Sequence, residues 1–354
     1  MLVDLSEPVR IVGAFAVAGV ATILAVPIAR RAAVATGFYD HPVGYKEHAH
    51  PTPYLGGAAV LAGFLVAAGL LGIGLSDFQT LILGAVALWA VGTLDDRVGL
   101  PITPRVAVQL GAGLILWLEG IRWVLFDSEA ANLALSLFWT VGLINAFNLM
   151  DNLDGAAGTV GCVIALGAGA LAQGEGNTAL AVLAFALAGA CAGFLPANLA
   201  SPSKIFLGDG GSMPIGFLVA GMVMAVPDGS IGWVALFTLA PMAGLPILDT
   251  ALVVVSRARR GAPVLQGGRD HITHRLLVVL GSPRRVAVAL ATAQGLFCCL
   301  AILLEQVRDP NVVLPFACVY VLGGVAVIAL LEFSRWAPPV ARGGAGSPVA
   351  ERSG

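Results

Sequence analysis

Residues 11–28, IVGAFAVAGVATILAVPI, carry no charge and form a run long enough to cross a bilayer as a helix. Acidic residues, Asp4 and Glu7, precede this run, and Arg30 and Arg31 follow it. A cleavable signal peptide would carry its positive charge on the other side, with a small-residue cleavage site after the run. Because basic residues stay on the cytoplasmic side, we expect a first spanning helix with its N-terminus outside.

Apolar stretches of this kind recur along nearly the whole chain. Of the 354 residues, 58% are hydrophobic and 11% are charged, and the mean hydropathy is +0.90. A soluble domain has roughly a quarter of its residues charged. The sequence therefore predicts an all-α integral membrane protein with about eleven transmembrane helices. They lie near residues 11–29, 56–75, 79–94, 105–119, 133–149, 156–173, 178–196, 212–226, 232–255, 286–304 and 312–331.

The basic residues are distributed unevenly between the two sides of the membrane. With the N-terminus outside, the inner segments hold 16 of the 19 Lys and Arg residues, and only Arg10, Arg122 and Arg308 lie outside. Basic residues are characteristically retained in the cytoplasm. The C-terminus is therefore predicted to be cytoplasmic, together with the inner loops 30–55, 95–104, 150–155, 197–211 and 256–285.

The membrane domain accounts for most of the chain. We expect residues 1–336 to form a single domain and the Pro/Gly/Ser-rich segment 337–354 to be a disordered cytoplasmic tail. The net charge of −2 comes without an exposed basic tract, so no nucleic-acid partner is expected. The expected partners are the lipid bilayer and small anionic molecules.

Adjacent carboxylates open the second inner loop. Asp95 and Asp96 follow the third span directly, and two such carboxylates repel each other unless a cation or a proton intervenes. The alternative is a solvated helix end that pairs with Arg97. The sequence leaves both interpretations open.

Amides and carboxylates also gather at the end of the fifth span. Asn145, Asn148 and Asp151 are three residues apart and therefore share one side of the last helical turns. Asp154 and Gly155 follow in a predicted turn. A helix cap would explain one of these polar residues, but placing four at the membrane edge is costly unless they bind something.

A glycine-rich segment, Gly-Asp-Gly-Gly-Ser at 208–212, comes directly before a predicted helix. Such a segment is typical of a capped helix start. It can equally let backbone N–H groups and a metal held by Asp209 approach a phosphate. Asn198, earlier in the same loop, adds another amide to this side of the membrane.

The fifth inner loop is rich in arginine and histidine. Seven arginines against one aspartate suit an anionic ligand or lipid headgroups. We expect headgroup binding for 257–260 and 284–285, and phosphate binding for His271, His274 and Arg275. Zinc is not expected, because the loop has no cysteine and no third histidine.

Other polar residues add to this picture. Lys46 and His48 bring positive charge to the first inner loop, and Asp249 lies about two turns inside the ninth span, after Pro246. An ionisable residue at that depth indicates a functional site, although pairing with a loop arginine is the alternative. Carboxylates with amides suit Mg²⁺, which characteristically bridges carboxylates to substrate phosphates. The depth of the site suggests one soluble and one lipid substrate.

Together these motifs resemble the polyprenyl-phosphate N-acetylhexosamine-1-phosphate transferases. These integral membrane enzymes transfer a phosphosugar from a UDP-sugar to a polyprenyl phosphate and release UMP. The matching residues follow the family's order from Asp40 to Arg275. They are the Lys46/His48/Pro51/Pro53/Gly56-Gly57 loop, Asp95-Asp96, Asn145 through Asp154-Gly155, Asn198, Ile205-Phe206 through Asp209-Gly-Gly-Ser212, and Pro246…Asp249-Thr250.

The resemblance implies a role for each matched residue. Mg²⁺, or Mn²⁺ in its place, would be held by Asp154 and Asp209. Catalytic residues would be Asp95, Asp96, Asp151, His271 and His274, with the first two facing the polyprenyl phosphate. Substrate would be bound by Lys46, His48, Asn145, Asn148, Asn198 and Arg275. The resemblance further implies a bacterial cytoplasmic (inner) membrane enzyme whose active site faces the cytoplasm, and a homodimer.

The histidine motif separates branches of this family. One branch, with UDP-GlcNAc as donor, usually shows His-x-His-His; here His271-Ile-Thr273-His274 keeps the outer histidines and has Thr273 in the middle. The phospho-N-acetylmuramoyl-pentapeptide transferases would show consecutive histidines, so they are the second alternative. A secondary transporter is the alternative from another class, but it would place polar residues near the bilayer midplane and often shows inverted repeats.

Overall fold

The computed structural model describes residues 6–40, 51–72, 78–226, 232–263 and 268–333. Most of these residues are helical. The helices are α1 Glu7–Ala35, α2 Gly56–Leu71, α3 Gln79–Val98, α4 Ile102–Leu118, α5 Glu129–Met150, α6 Ala156–Gly174, α7 Thr178–Asn198, α8 Asp209–Ala225, α9 Trp233–Leu239, α10 Gly244–Arg260, α11 Ile272–Leu280, α12 Pro283–Val307 and α13 Pro310–Phe333. Two short antiparallel strands, β1 Tyr39–Asp40 and β2 Thr52–Pro53, precede α2. The predicted tail 337–354 lies outside the described residues.

The prediction of an all-α integral membrane protein is confirmed. Each predicted span overlaps a helix, and in the described part of the chain seven helical segments are long and apolar enough to cross a membrane. Three shorter apolar helices, α2, α4 and α8, accompany them. Large exposed apolar surfaces suit contact with lipid; the exposed side chains include Leu24, Leu114, Leu322 and Leu330. The number of spans and their orientation stay predictions.

The predicted span 232–255 is not one continuous helix. α9 and α10 are separated by a 3-10 turn, Ala240–Ala243, which contains Pro241. A proline removes a backbone donor and its ring clashes with the preceding turn, which explains the break. Gln294 of α12 satisfies the freed backbone groups, because its side chain donates to the carbonyl of Met242 (2.8 Å) and accepts from the N–H of Leu245 (3.3 Å).

Helix α8 lies in the core of the bundle. All of its residues from 210 to 224 are buried, and it contacts α2, α3 and α5. Glycines permit this close packing: a Cβ on Gly57 would collide with the backbone of Gly210, and a Cβ on Gly92 would collide with the backbone of Asp209. The packing therefore brings α2 and α3 to the first residues of α8.

Candidate functional site

The start of α8 is capped by a carboxylate from α3. The backbone N–H groups of Asp209 and Gly210 donate to Asp96 at 2.9 and 3.0 Å, one to each carboxylate oxygen. The first N–H groups of a helix have no partner within the helix, and its N-terminus attracts negative charge. Gly208 has a φ of +73°, a conformation that glycine adopts without strain, and this turn brings the loop before α8 close to the Asp96 carboxylate.

Arg105, in the first turns of α4, bridges two of the predicted site residues. Its guanidinium donates to the carboxylate of Asp95 and, at 3.3 Å, to that of Asp209. Asp95 also accepts from the backbone N–H of Leu100 at 2.6 Å. Sequence reasoning missed Arg105 and counted it only among the basic residues of the inner side. The only signal for Arg105 in the sequence was its position directly after Pro104, at the start of the helix that follows Asp95 and Asp96.

The alternative pairing of Asp95 and Asp96 with Arg97 is wrong. The Arg97 guanidinium donates to the carbonyl of Thr36 at 3.1 Å and lies over the ring of Phe38, 5.4 Å from its centroid. Arg97 follows Asp96 on a helix, where neighbouring residues face different directions. Arg97 therefore joins α3 to the end of α1, whereas Asp95 pairs with Arg105 and Asp96 with the start of α8.

The two amides at the end of α5 have different partners. Asn148 donates to Asp209 at 2.6 Å and to the hydroxyl of Ser212 at 3.2 Å. It therefore belongs to the group formed by Asp95, Asp96, Asp151 and Asp209, called the carboxylate cluster below. Asn145 donates instead to the side chain of Gln109 on α4 at 2.7 Å. Gln109 is buried and was not recognised in the sequence. Asn145 thus joins α5 to α4 one turn deeper than Asn148.

Asp151 comes directly after α5. Burial raises the pKa of Asp151 well above its ordinary value, and the charges of Asp209, Asp96 and Asp154 raise it further. Carboxylates from three loops therefore lie close enough to repel one another.

Asn198, a predicted substrate ligand, is buried among protein groups. It accepts from the backbone N–H of Gly155 at 2.7 Å and donates to the carbonyl of Ile205 at 3.1 Å. A longer contact, 3.4 Å, joins it to the carboxylate of Asp154. In the structure Asn198 ties the turn of Asp154 to the loop before α8.

The first inner loop meets the glycine-rich segment at its far end. Backbone N–H groups of Gly56 and Gly57 donate to the carbonyls of Phe206 and Leu207, both at 2.9 Å. The loop before α2 and the glycine-rich segment before α8, which are far apart in sequence, are thus hydrogen-bonded to each other next to the carboxylates. Lys46 and His48, predicted to bind substrate, lie outside the described residues.

His271 is held by Asp249, from the middle of α10. Its Nδ1 lies 2.8 Å from one carboxylate oxygen of Asp249, and the backbone N–H of Ile272 donates to the other at 2.7 Å. Both side chains are buried. Asp249 therefore pairs with a histidine of the predicted motif and not with a loop arginine. Its two bonds fix the first turn of α11, which the sequence had not predicted as a helix.

Arg275, predicted to bind substrate, is buried against the end of α13. Its guanidinium donates to the carbonyl of Leu331 at 2.6 Å, to the carboxylate of Glu332, and to the carbonyl of Asp270 at 3.2 Å. These contacts join α11 to α13 and to the loop before α11. The structure therefore does not bring the Arg275 guanidinium to the carboxylate cluster.

Headgroup binding by Arg257 is wrong. Its side chain is 3% exposed and forms two hydrogen bonds, at 2.9 and 3.0 Å, with the carboxylate of Asp270. Arg260 adds a third, at 2.5 Å. α10 continues to Arg260, five residues beyond the predicted end of the span, so Arg257 faces the protein and not the membrane surface. The single acid of this loop neutralises two of its arginines.

The carboxylate cluster suits a hard divalent cation. It offers carboxylate oxygens beside an amide, and a cation would relieve the repulsion that, together with burial, raises the pKa of Asp151. Among the residues that the structure describes, no three His, Cys, Asp or Glu side chains form a ready metal site. Mg²⁺ fits such an arrangement, because it is usually held by one or two carboxylates and takes further ligands from water and substrate phosphates.

Comparisons with known proteins agree with the motif resemblance. Residues 78–227 match the family model described as glycosyl transferase family 4. A decaprenyl-phosphate N-acetylglucosaminephosphotransferase of Mycolicibacterium smegmatis is 32% identical over 314 residues, which cover 77% of this chain and 76% of that protein. A probable undecaprenyl-phosphate N-acetylglucosaminyl 1-phosphate transferase of Bacillus subtilis is 29% identical over 79% of this chain and 80% of its own. The undecaprenyl-phosphate alpha-N-acetylglucosaminyl 1-phosphate transferase of Escherichia coli is 28% identical, with 78% and 79% covered.

The matched segment and the site coincide. Residues 78–227 contain the end of α3, the end of α5 and the start of α8, which together carry the carboxylate cluster. The similarity to whole relatives extends over about three quarters of both chains. The chain therefore belongs to glycosyl transferase family 4, to the polyprenyl-phosphate N-acetylhexosamine-1-phosphate transferases that its motifs resemble.

Proposed function

We propose that this protein transfers N-acetylglucosamine-1-phosphate from UDP-GlcNAc to undecaprenyl or another polyprenyl phosphate, and releases UMP. The observation that carries the proposal is the convergence of Asp95, Asp96, Asp151 and Asp209 at helix ends of a membrane bundle. Such a place is open to a soluble donor from one side and to a lipid from the other. The three relatives described above are named as N-acetylglucosamine phosphotransferases of undecaprenyl or decaprenyl phosphate, which supports the acceptor and the transferred group.

The proposed reaction joins two anions. A phosphate oxygen of the lipid forms a bond to the β-phosphorus of the UDP-sugar, the bond from that phosphorus to the bridging oxygen breaks, and UMP leaves with this oxygen. Mg²⁺, held by Asp209 and Asp154, would neutralise the charge that builds up on the phosphates. The lipid phosphate already carries an anionic oxygen at neutral pH, so the attack needs no strong base.

Direct attack is favoured over a covalent enzyme intermediate. A nucleophilic aspartate attacks through a carboxylate oxygen, and the hydrogen bonds that this oxygen accepts lower its nucleophilicity. Both oxygens of Asp96 accept backbone N–H groups of α8, and those of Asp95 accept from Arg105 and Leu100. These bonds support roles in placing α8 and Arg105. A rapid-quench search for a phosphosugar-enzyme adduct tests this point, and an adduct with ping-pong kinetics would contradict it.

We place the site on the cytoplasmic side of a bacterial inner membrane, with about eleven spans and an outside N-terminus. The positive-inside distribution supports this orientation. The carboxylate cluster lies at the ends of α3 and α5 and the start of α8, which the orientation places on that side. Cysteine accessibility in intact cells tests it: a probe that cannot cross the membrane should label a cysteine at Glu129 and not one at Lys204.

The function is tested by UMP release from purified protein. The protein is incubated with undecaprenyl phosphate, Mg²⁺ and either UDP-GlcNAc or UDP-N-acetylmuramoyl-pentapeptide. We expect UMP with UDP-GlcNAc that depends on both lipid and Mg²⁺. Release with the pentapeptide donor alone would move the protein to the other branch, and release with neither donor would contradict the proposal.

A further inference from the structure

Helix α11, in the predicted fifth inner loop, is polar where it is buried and apolar where it is exposed. The side chains of His271, Thr273 and Arg275, at its start, are buried. In its last turn Val278 is 80% exposed and Val279 is 56% exposed. A helix that borders water shows the reverse arrangement, because burying polar groups and exposing apolar ones both cost free energy. An apolar environment therefore suits the end of α11.

The start of α11 is bonded to the loop that carries part of the candidate site. The hydroxyl of Thr273 donates to Oδ1 of Asn152, the residue that follows Asp151. His274 is half-buried, and its Nδ1 lies 3.4 Å from Oγ1 of Thr273. The rings of His274 and His271 have their centroids 6.1 Å apart. The position of α11 therefore determines where both histidines lie relative to Asp151.

Two helices that are long and apolar enough to cross a membrane, α12 and α13, adjoin α11. α12 begins three residues after α11 ends, and it exposes Val288 in its second turn. α13 is bonded to α11 where the carbonyl of Leu331 accepts from Arg275, and on the two sides of this residue in sequence it exposes Leu330 and Phe333. The apolar turn of α11 is thus continuous with surfaces that suit contact with lipid.

Positive charge accompanies this apolar turn. Arg284 and Arg285, in the first turn of α12, have exposed side chains. Arg284 donates to the carbonyl of Leu199 at 2.9 Å, and Arg285 donates to that of Leu280 at 3.2 Å. A guanidinium has five N–H donors, so each arginine has donors for a further ligand. Because the sequence has no Asp or Glu from 271 to 304, anionic lipid headgroups suit these two charges.

We propose that Val278, Val279, Arg284 and Arg285 form a docking surface for the membrane leaflet on the side of the carboxylate cluster. The valines lie among the acyl chains, and the arginines bind anionic phospholipid headgroups. The leaflet thereby holds the end of α11 and, through this helix, the two histidines at its start. The docking rests on the membrane fold alone, whereas its effect on turnover rests on the proposed function.

Photo-crosslinking tests the docking surface. Full-length protein with p-benzoylphenylalanine in place of Val278 is placed in nanodiscs of phosphatidylcholine and phosphatidylglycerol in equal amounts and irradiated, and its adducts are identified by mass spectrometry. We expect phospholipid adducts at this position and at Leu322, an exposed residue of α13, and none at Ser201, an exposed residue of a polar loop. If this variant does not fold, the crosslinker at Val279 replaces it. Lipid adducts at Leu322 without any on α11, or an adduct of α11 with a second copy of the chain, would overturn the docking.

The composition of the adducts tests the headgroup part. We expect phosphatidylglycerol to exceed phosphatidylcholine roughly threefold in the adducts at Val278, and not in those at Leu322. R284Q/R285Q should abolish this enrichment, whereas the matched control R284K/R285K keeps both charges and should retain it. Enrichment that survives in R284Q/R285Q, or that is lost equally in R284K/R285K, would overturn the role of the charges.

UMP release in the same nanodiscs measures the effect on the histidines. R284Q/R285Q should release UMP several-fold more slowly than the wild type, because the end of α11 loses its attachment, and R284K/R285K should stay close to the wild type. Equal rates in all three proteins would show that docking does not position the histidines. The adducts decide the docking itself even if no donor tested releases UMP.

Discussion

The carboxylate of Asp96, at the end of α3, accepts the backbone N–H groups of Asp209 and of the residue after it, at the start of α8. These residues are 113 positions apart in sequence. These bonds connect the two acidic motifs. Asp96 of the first motif caps α8, and α8 carries Asp209 of the second motif. A change at Asp96 is therefore expected to move Asp209 as well as to remove a charge.

Asp96→Ala removes both acceptors from the start of α8. We expect the free energy of unfolding to fall by about 1–2 kcal/mol, as for other lost helix caps. UMP release should fall much further, because Asp209 loses its position. Thermal unfolding in detergent and the UMP assay measure the two effects. Asp309→Ala is the matched control: Asp309 accepts from the N–H of Asn311 at an exposed helix start far in sequence from the site, and activity should not change.

Asp209→Asn and Asp154→Asn test the predicted metal ligands. Each variant keeps its side-chain size and should fold normally, but we expect most Mg²⁺-dependent turnover to be lost, because amides are poorer ligands than carboxylates for a hard cation. UMP release over a range of Mg²⁺ concentrations measures the effect. Wild-type activity in either variant, at the wild-type Mg²⁺ requirement, would reject that residue as a ligand.

Arg105→Gln changes the charge at the cluster without removing a carboxylate. Arg105 bonds Asp209 and so competes with a cation for it. We expect the Mg²⁺ concentration for half-maximal activity to fall by roughly fivefold, because one positive charge near a partly exposed site is removed. The maximal rate should also fall. Arg97→Gln, which alters a neighbouring arginine with partners outside the cluster, serves as the control. An unchanged or higher Mg²⁺ requirement would contradict the bridging role.

Asp270→Asn breaks the buried pair with Arg257. We expect a loss of about 3 kcal/mol in the free energy of unfolding, because an arginine stays buried without its charge partner. Burial raises the pKa of Asp270, but the hydrogen bonds and charge of Arg257 outweigh it and hold the pKa below 3.8. The pair therefore stabilises the protein above pH 3.8, and this contribution is lost as the pH falls through the lowered pKa. Unfolding measured against pH should show this loss in the wild type and not in D270N.

Much of the fold could be predicted, because long apolar runs in lipid have few alternatives to a helix. Each predicted span overlaps at least one helix of the structure. The break between α9 and α10 was missed because Pro241 lies in an apolar run and the group that satisfies the broken backbone, Gln294, comes from another helix. Helix α11 was missed because it is short and lies in an arginine-rich loop.

The residues of the site could be predicted from the sequence, but their hydrogen-bond and ion-pair partners could not. The predicted spans put Asp96, Asp151 and Asp209 at the same end of the helices, so a shared site could be expected from the sequence, and the structure brings them together. Which group each residue bonds depends on side-chain direction, and sequence spacing does not give it. Arg105 was therefore missed, and Arg275 was expected at the phosphates although its guanidinium is bonded at the end of α13.

The measurement that tests the central claim most directly is the phosphate content of the lipid product. The purified protein is incubated with undecaprenyl phosphate and with UDP-GlcNAc that carries ¹⁸O on the non-bridging oxygens of its β-phosphate, and the lipid is analysed by mass spectrometry. Transfer of the phosphosugar predicts a lipid with two phosphates that contains the labelled phosphate, and one UMP for each lipid formed. A lipid with a single phosphate, accompanied by labelled UDP, would contradict the account.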